Sequence, residues 1–179
     1  MTDNGRISPR ALVYILGLLL GVLWSISTAV VVATLPNEVD EVPLVQWSFT
    51  LLPFIAFVAG VVVTLRAPGE RIIPIGPRWL AAAQAGLVVA FIGFLLHDLT
   101  YAVAQNVFFD TWLKQNPDVA TAFRGSGYSS LALYATVKTA VALVPLLIAH
   151  SLLGAVCGAV GGLLARLVPV RRQAMPPAA

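Results

Sequence analysis

The stretch Thr139–Ala165 reads TAVALVPLLIAHSLLGAVCGAVGGLLA and contains no Asp, Glu, Lys or Arg. Three earlier stretches are also uncharged: Ala11–Asn37, Val42–Leu65 and Trp79–His97. A hydrocarbon core about 30 Å thick is crossed by a helix of about 20 apolar residues, each rising about 1.5 Å. The sequence therefore predicts an all-α integral membrane protein, a four-helix bundle in which one transmembrane domain takes up residues 1–179.

The composition supports a chain that is surrounded by lipid. Hydrophobic residues make up 59% of the sequence and charged residues 11%, whereas a soluble domain carries about 25% charged residues. The net charge of +3 does not indicate a nucleic-acid partner, because the basic residues flank the apolar stretches and form no run. The predicted surroundings are the lipid bilayer and other membrane proteins.

The distribution of charge predicts the orientation in the membrane. The N-terminus, the second connector and the C-terminal tail hold only two acidic residues, Asp3 and Glu70, and these basic residues: Arg6, Arg10, Arg66, Arg71, Arg78, Arg166, Arg171 and Arg172. Acidic residues prevail in the other two connectors. Short loops rich in Lys and Arg remain in the cytoplasm. We therefore expect both termini and connector 66–78 in the cytoplasm, with 36–42 and 101–130 outside the inner or plasma membrane of a prokaryote.

Proline, asparagine and glycine predict the helix boundaries. We expect membrane helices over residues 11–35, 43–65, 79–100 and 131–167. Pro53 and Pro145 should bend the second and the fourth. A short extra helix is predicted over 117–123 in the outward segment, because a proline follows a capping Asn there. The third helix can continue outward as far as Trp112, and the tail 171–179 is predicted to be disordered.

Small residues recur every fourth position in three of the predicted helices. In lipid, helices associate through close backbone contact at such stripes. The predicted helix-packing residues are Gly17, Gly21, Ser25, Gly86, Gly154, Gly158 and Gly162. The stripes predict helix–helix seams, which join either helices of one chain or this chain to a membrane-protein partner or a second copy.

Two histidines fall at membrane depth. By helical rise, His97 lies about 28 Å above Arg78 and His150 about 24 Å above Arg166, so both are predicted in the outer leaflet. Polar groups at this depth need partners and are candidates for function. In the first interpretation, His97 and Asp98 sit among the lipid headgroups and His150 hydrogen-bonds a neighbouring helix. In the others, His97 and His150 bind a haem or metal as a cofactor site, or contribute to a proton-linked or small-ligand site.

Other chemical motifs are absent from the sequence, which holds no P-loop, no GxSxG, no HExxH and one cysteine. Packing signals are abundant and chemical signals are few. We therefore expect no enzyme, but a non-catalytic structural or accessory subunit that binds other membrane proteins through its small-residue seams and its outward segment. The alternatives are a haem- or metal-binding electron-transfer subunit that uses His97 and His150, and a small neutral-solute or lipid transporter.

Overall fold

A computed structural model describes residues 7–34, 43–66, 72 and 80–167, without the side chains of residues 34 and 43–49. Six helices follow one another: α1 Pro9–Thr34, α2 Pro43–Arg66, α3 Ala81–Val107, α4 Phe109–Gln115, α5 Pro117–Phe123 and α6 Leu131–Leu167. These ranges contain helices, turns and short connecting segments, with no strand. The all-α prediction is confirmed.

Three of these helices are long and apolar enough to cross a bilayer: Pro9–Ala33, Ala81–Val107 and Leu131–Leu167. They are consistent with a membrane protein. In α2 the apolar stretch with described side chains is shorter, Thr50–Arg66.

Local capping fixes where α1 and α6 begin. The Ser8 hydroxyl accepts a hydrogen bond from the Ala11 backbone N–H at 3.1 Å, and Pro9 opens the first turn, where no intrahelical donor is lost. Ser130 plays the same part for α6, since its hydroxyl accepts from the Leu133 N–H at 3.4 Å. The loop that precedes α6 contains Gly127 with φ of 74°, a conformation that favours glycine.

The third helix differs from its predicted bounds at both ends. It runs to Val107, and Phe108, with φ of −108° and ψ of 40°, separates it from α4. The Trp112 N–H still bonds to the Phe108 carbonyl at 2.9 Å, so the chain bends there without an open loop. The segment 101–130, predicted to face outward, therefore contains the end of α3 followed by the two short helices α4 and α5.

Helix α3 is central in the bundle. It packs extensively against α1, α2 and α6, and α2 also packs against α6 and α1. Contact between α1 and α6 is marginal at most. The small-residue stripes of α1 and α6 therefore each face α3 and not each other.

Two apolar clusters stabilise this arrangement. The larger one joins the long helices and includes Leu20, Trp24, Ala85, Val89 and Phe94. The smaller one joins the C-terminal ends of α1 and α3 and the N-terminal end of α6 to α4 and α5, and its buried members are Val32, Ala104, Trp112, Val119 and Ala135. The segment 101–130 is thus a packed extension of the bundle.

Ile72 is the single described residue of the second connector. Its side chain is buried in the larger cluster, and its N–H donates to Gln84 Oε1 at 3.2 Å. This contact ties the connector to the beginning of α3.

Other predictions lie outside the described residues or are only partly tested by them. The tail 171–179, for which disorder is predicted, the connector 36–42 and both ends of the chain lie outside the described residues. Pro53 and Pro145 lie inside the helices α2 and α6, and the bends expected there stay predictions.

Candidate functional site

The C-terminal half of α3 carries a hydrogen-bonded pair of polar side chains. His97 Nδ1 lies 3.1 Å from Asp98 Oδ1, and their side chains are 18% and 10% exposed. A carboxylate accepts hydrogen bonds and does not donate them, so the contact places the imidazole hydrogen on Nδ1. In the neutral ring the lone pair of His97 is then on Nε2.

His150 has a similar arrangement on α6. Its Nδ1 lies 2.8 Å from the Leu146 carbonyl oxygen, one turn earlier in the same helix. Since a carbonyl oxygen only accepts, Nδ1 carries the hydrogen and Nε2 the lone pair. Histidines that bind metals in proteins commonly have this pattern, in which Nδ1 donates to a carboxylate or a backbone carbonyl.

The Phe94 ring lies against both imidazoles. Its centroid is 3.9 Å from that of His150, with 16° between the planes, and 5.2 Å from that of His97. Trp24 of α1 meets the Phe94 ring edge to face at 5.4 Å and approaches the His97 ring at 5.6 Å. The structure thus brings His97 and His150 into one aromatic cluster that joins α1, α3 and α6.

This cluster can position two imidazole nitrogens, but its ligand set is small. Among the residues that the structure describes, no group of three or more His, Cys, Asp or Glu side chains could hold a metal ion. The stacked Phe94 ring covers one face of the His150 imidazole. A metal or haem at this position would therefore depend on His97 and His150 alone.

The small-residue stripe of α6 is in backbone contact with α3 and α2. A Cβ atom added to Gly154 would come within 2.6 Å of the Gly86 carbonyl oxygen, and one added to Gly158 within 2.9 Å of Gly86 Cα. Gly60 of α2 and Gly161 complete the seam, since each approaches the backbone of the facing helix. Gly60 and Gly161 are not among the predicted helix-packing residues, although Gly161 directly precedes the predicted Gly162.

The stripe of α1 packs differently, because side chains of α3 fill it. A Cβ atom on Gly17 would lie 3.1 Å from Ile92 Cβ, and one on Gly21 2.9 Å from Leu96 Cβ. The Ser25 hydroxyl donates to the Leu96 carbonyl oxygen at 3.2 Å. All seven predicted helix-packing residues are thus in α1, α3 or α6, and each of them faces another helix of the same chain. These contacts favour the alternative in which the seams form within one chain.

Comparison of the chain with protein-family models, with curated proteins and with solved structures finds no match.

A second polar group, not selected from the sequence, lies near the C-terminal end of α3. Gln105 is 1% exposed, and neither its Nε2 nor its Oε1 has a hydrogen-bond partner among the described residues. One turn earlier, the Tyr101 hydroxyl accepts a hydrogen bond from Trp112 Nε1 at 2.8 Å. The signal that could have found Gln105 is its spacing of seven residues from Asp98, which places both on one face of the helix.

Proposed function

We propose that this protein is a four-span integral membrane protein of the prokaryotic inner or plasma membrane, with both termini in the cytoplasm. We further propose that it is a non-catalytic accessory subunit that binds another membrane protein. Three apolar helices of sufficient length support the first statement. The asymmetry of Lys and Arg between the connectors supports the orientation.

The observation that carries the accessory role is the poor coverage of α6 over its outward half. Between Ala135 and Ser151 this helix has no buried residue. Its exposed side chains point to several sides of the helix: Val141, Val144, Leu146 and Ile148. The glycine seam of α6 already packs against α2 and α3. The exposed part of α6 is therefore the surface that remains for a partner.

The proposed docking surface is therefore the outward half of α6 together with the outward segment 101–130. An apolar helix face in lipid gains little from burial by itself, so a partner must contribute close packing or hydrogen bonds. Thr136 lies at the outward end of this helix and is hydrogen-bonded to Asn106 Oδ1 at 3.2 Å.

Purification of the tagged full-length protein in mild detergent, followed by a mass inventory, tests the accessory role. A stoichiometric membrane-protein partner is expected. Ile148→Trp should release it, because the added bulk lies on the proposed surface. Leu19→Trp is the matched control, since Leu19 of α1 is 57% exposed and Ile148 56%. Recovery of a lone monomer contradicts the accessory role.

The orientation has its own test. A protease added to intact cells should leave N- and C-terminal tags uncut, whereas a tag inserted at Gly125 should be removed. Cleavage of either terminal tag from outside contradicts the orientation.

The second candidate is a haem- or metal-binding electron-transfer subunit. It is favoured by the common arrangement of His97 and His150, whose Nδ1 atoms lie 3.1 Å from the Asp98 carboxylate and 2.8 Å from the Leu146 carbonyl. A Soret band or bound metal that is lost in His97→Ala and in His150→Ala would support it. A colourless, metal-free preparation excludes this candidate and leaves the accessory role untouched.

A further inference from the structure

The interior face of α3 changes character along its length. Phe94, Asp98, Tyr101 and Gln105 recur at spacings of four, three and four residues, which places them on one helix face. Phe94 belongs to the larger apolar cluster. Asp98 and Gln105, further outward, are only 8% and 1% exposed. The outward half of this face is therefore polar and enclosed.

Gln105 is the residue of this face for which the described part of the chain supplies no hydrogen-bond partner. Its Nε2 and Oε1 are both buried, and neither is hydrogen-bonded within the part of the chain that the structure describes. Buried amide groups in folded proteins almost always have partners, because removal from water without replacement bonds is unfavourable. The carboxamide therefore points to a bound molecule.

Tyr101 supplies a third polar group to the same helix face. Its hydroxyl oxygen accepts the Trp112 Nε1 hydrogen at 2.8 Å, so the phenol O–H remains available as a donor. It lies one helical turn from Gln105, about 6 Å along the axis. Trp112 is itself buried and belongs to α4, which thereby covers this end of α3.

We propose that Gln105 and Tyr101 form a binding site under α4 for a small uncharged molecule that both donates and accepts hydrogen bonds. The amide offers two donors and one acceptor, and the phenol offers one donor. Asp98, the charged residue of this face, is already hydrogen-bonded to His97, so nothing on the face calls for a charged ligand. A resident water molecule and a carboxamide-like solute share this chemistry. The site is independent of the proposed accessory role, because it lies inside the chain.

Nuclear magnetic resonance of the full-length protein with ¹⁵N-labelled glutamine tests the proposal and separates the two sources. The Gln105 side-chain signals are those that disappear in Gln105→Met. Cross-relaxation from these amide hydrogens to a long-lived water is measured first. Acetamide is then titrated as the probe solute.

Two results support the site. Cross-relaxation to water without a shift by acetamide identifies a resident water. A saturable acetamide shift of the Gln105 signals identifies a solute site, and Tyr101→Phe should then weaken acetamide binding about fivefold, the effect of one hydrogen bond.

Gln115→Met is the control, since Gln115 is at the end of α4 and is only partly buried. It should leave both measurements at Gln105 unchanged. Absence of both the water signal and the acetamide shift at Gln105, in a wild-type protein that remains monodisperse, overturns the proposal.

Discussion

Gly86 of α3 and Gly158 of α6 pack backbone against backbone. A Cβ atom added to either one would lie 2.9 Å from both the Cα and the amide nitrogen of the other. Contacts of this kind allow dispersion and weak Cα–H hydrogen bonds between helices in lipid, where apolar side chains gain nothing by leaving the solvent. The pair lies in the seam between α3 and α6, the two helices with the most extensive contact among the described residues.

Substitution of Gly158 by Ala should therefore weaken the bundle. The new methyl group would meet the backbone of Gly86 and the carbonyl of Ala82, neither of which can rotate away. Overpacking of this kind costs about 1–3 kcal/mol, which exceeds the gain of up to about 1 kcal/mol from the higher helix propensity of Ala. The measurement is the thermal unfolding midpoint in detergent.

Gly125→Ala is the matched control for this substitution. Nothing lies within 4 Å of a Cβ atom at Gly125, so its unfolding midpoint should remain close to that of the wild type. Equal midpoints for Gly158→Ala and Gly125→Ala would show that the α3–α6 seam is not close-packed.

Two serines of α1 allow a hydrogen bond between helices to be compared with one inside a helix. Ser25 donates to the Leu96 carbonyl of α3 at 3.2 Å, whereas Ser27 donates to the Leu23 carbonyl of its own helix at 3.0 Å. Interhelical hydrogen bonds in membrane proteins contribute about 0.6 kcal/mol on average. Ser25→Ala should thus lower the unfolding free energy by about that amount, and Ser27→Ala should change it less.

Steric-trapping measurements in bicelles have the resolution for this comparison. A larger loss in Ser27→Ala than in Ser25→Ala would contradict the assignment of the Ser25 hydroxyl to the α1–α3 contact.

The aromatic cluster should be a main determinant of stability. Phe94 is 2% exposed and contacts Trp24, His97 and His150. Phe94→Ala leaves a cavity between three helices, and such truncations in packed cores cost about 3–5 kcal/mol. Phe54→Ala is the control, because Phe54 is 63% exposed. The unfolding midpoint of Phe94→Ala should fall well below that of Phe54→Ala, and similar midpoints would mean that the ring is not a core residue.

Much of the helical pattern could be predicted from the sequence, because the length of the uncharged stretches and the positions of the turn residues determine it directly. The bounds of Pro117–Phe123 and Leu131–Leu167 agree with the predicted 117–123 and 131–167. Proline in a first turn and serine at a cap act locally, so they need no knowledge of the fold. The predicted end of α3 at residue 100 differs from the observed end at Val107, because the bend at Phe108 involves neither Gly nor Pro.

The pairing of the helices could not be predicted in the same way. A stripe such as Gly17 and Gly21 shows which face is small but not which helix approaches it, and here Ile92 and Leu96 of α3 fill it. The two histidines were placed at similar heights from helical rise alone. Their shared neighbour, Phe94, depends on the rotation of α3 and α6 about their axes, which no spacing in the sequence fixes.

The contact between Trp112 and Tyr101 should hold the outward segment more firmly than the ion pair beside it. The Trp112 Nε1–H donates to the Tyr101 hydroxyl at 2.8 Å with Trp112 buried, whereas the Lys138 and Asp118 side chains, 3.3 Å apart, are 44% and 73% exposed. A double-mutant cycle of Trp112→Phe and Tyr101→Phe should give a coupling free energy of about 1 kcal/mol.

Asp118→Asn should change stability by about 0–0.5 kcal/mol, less at high salt, because water and ions screen exposed charges. Hydrogen exchange of α4 and α5 amides measures both effects locally, and faster exchange in Asp118→Asn than in Trp112→Phe would reverse this ranking.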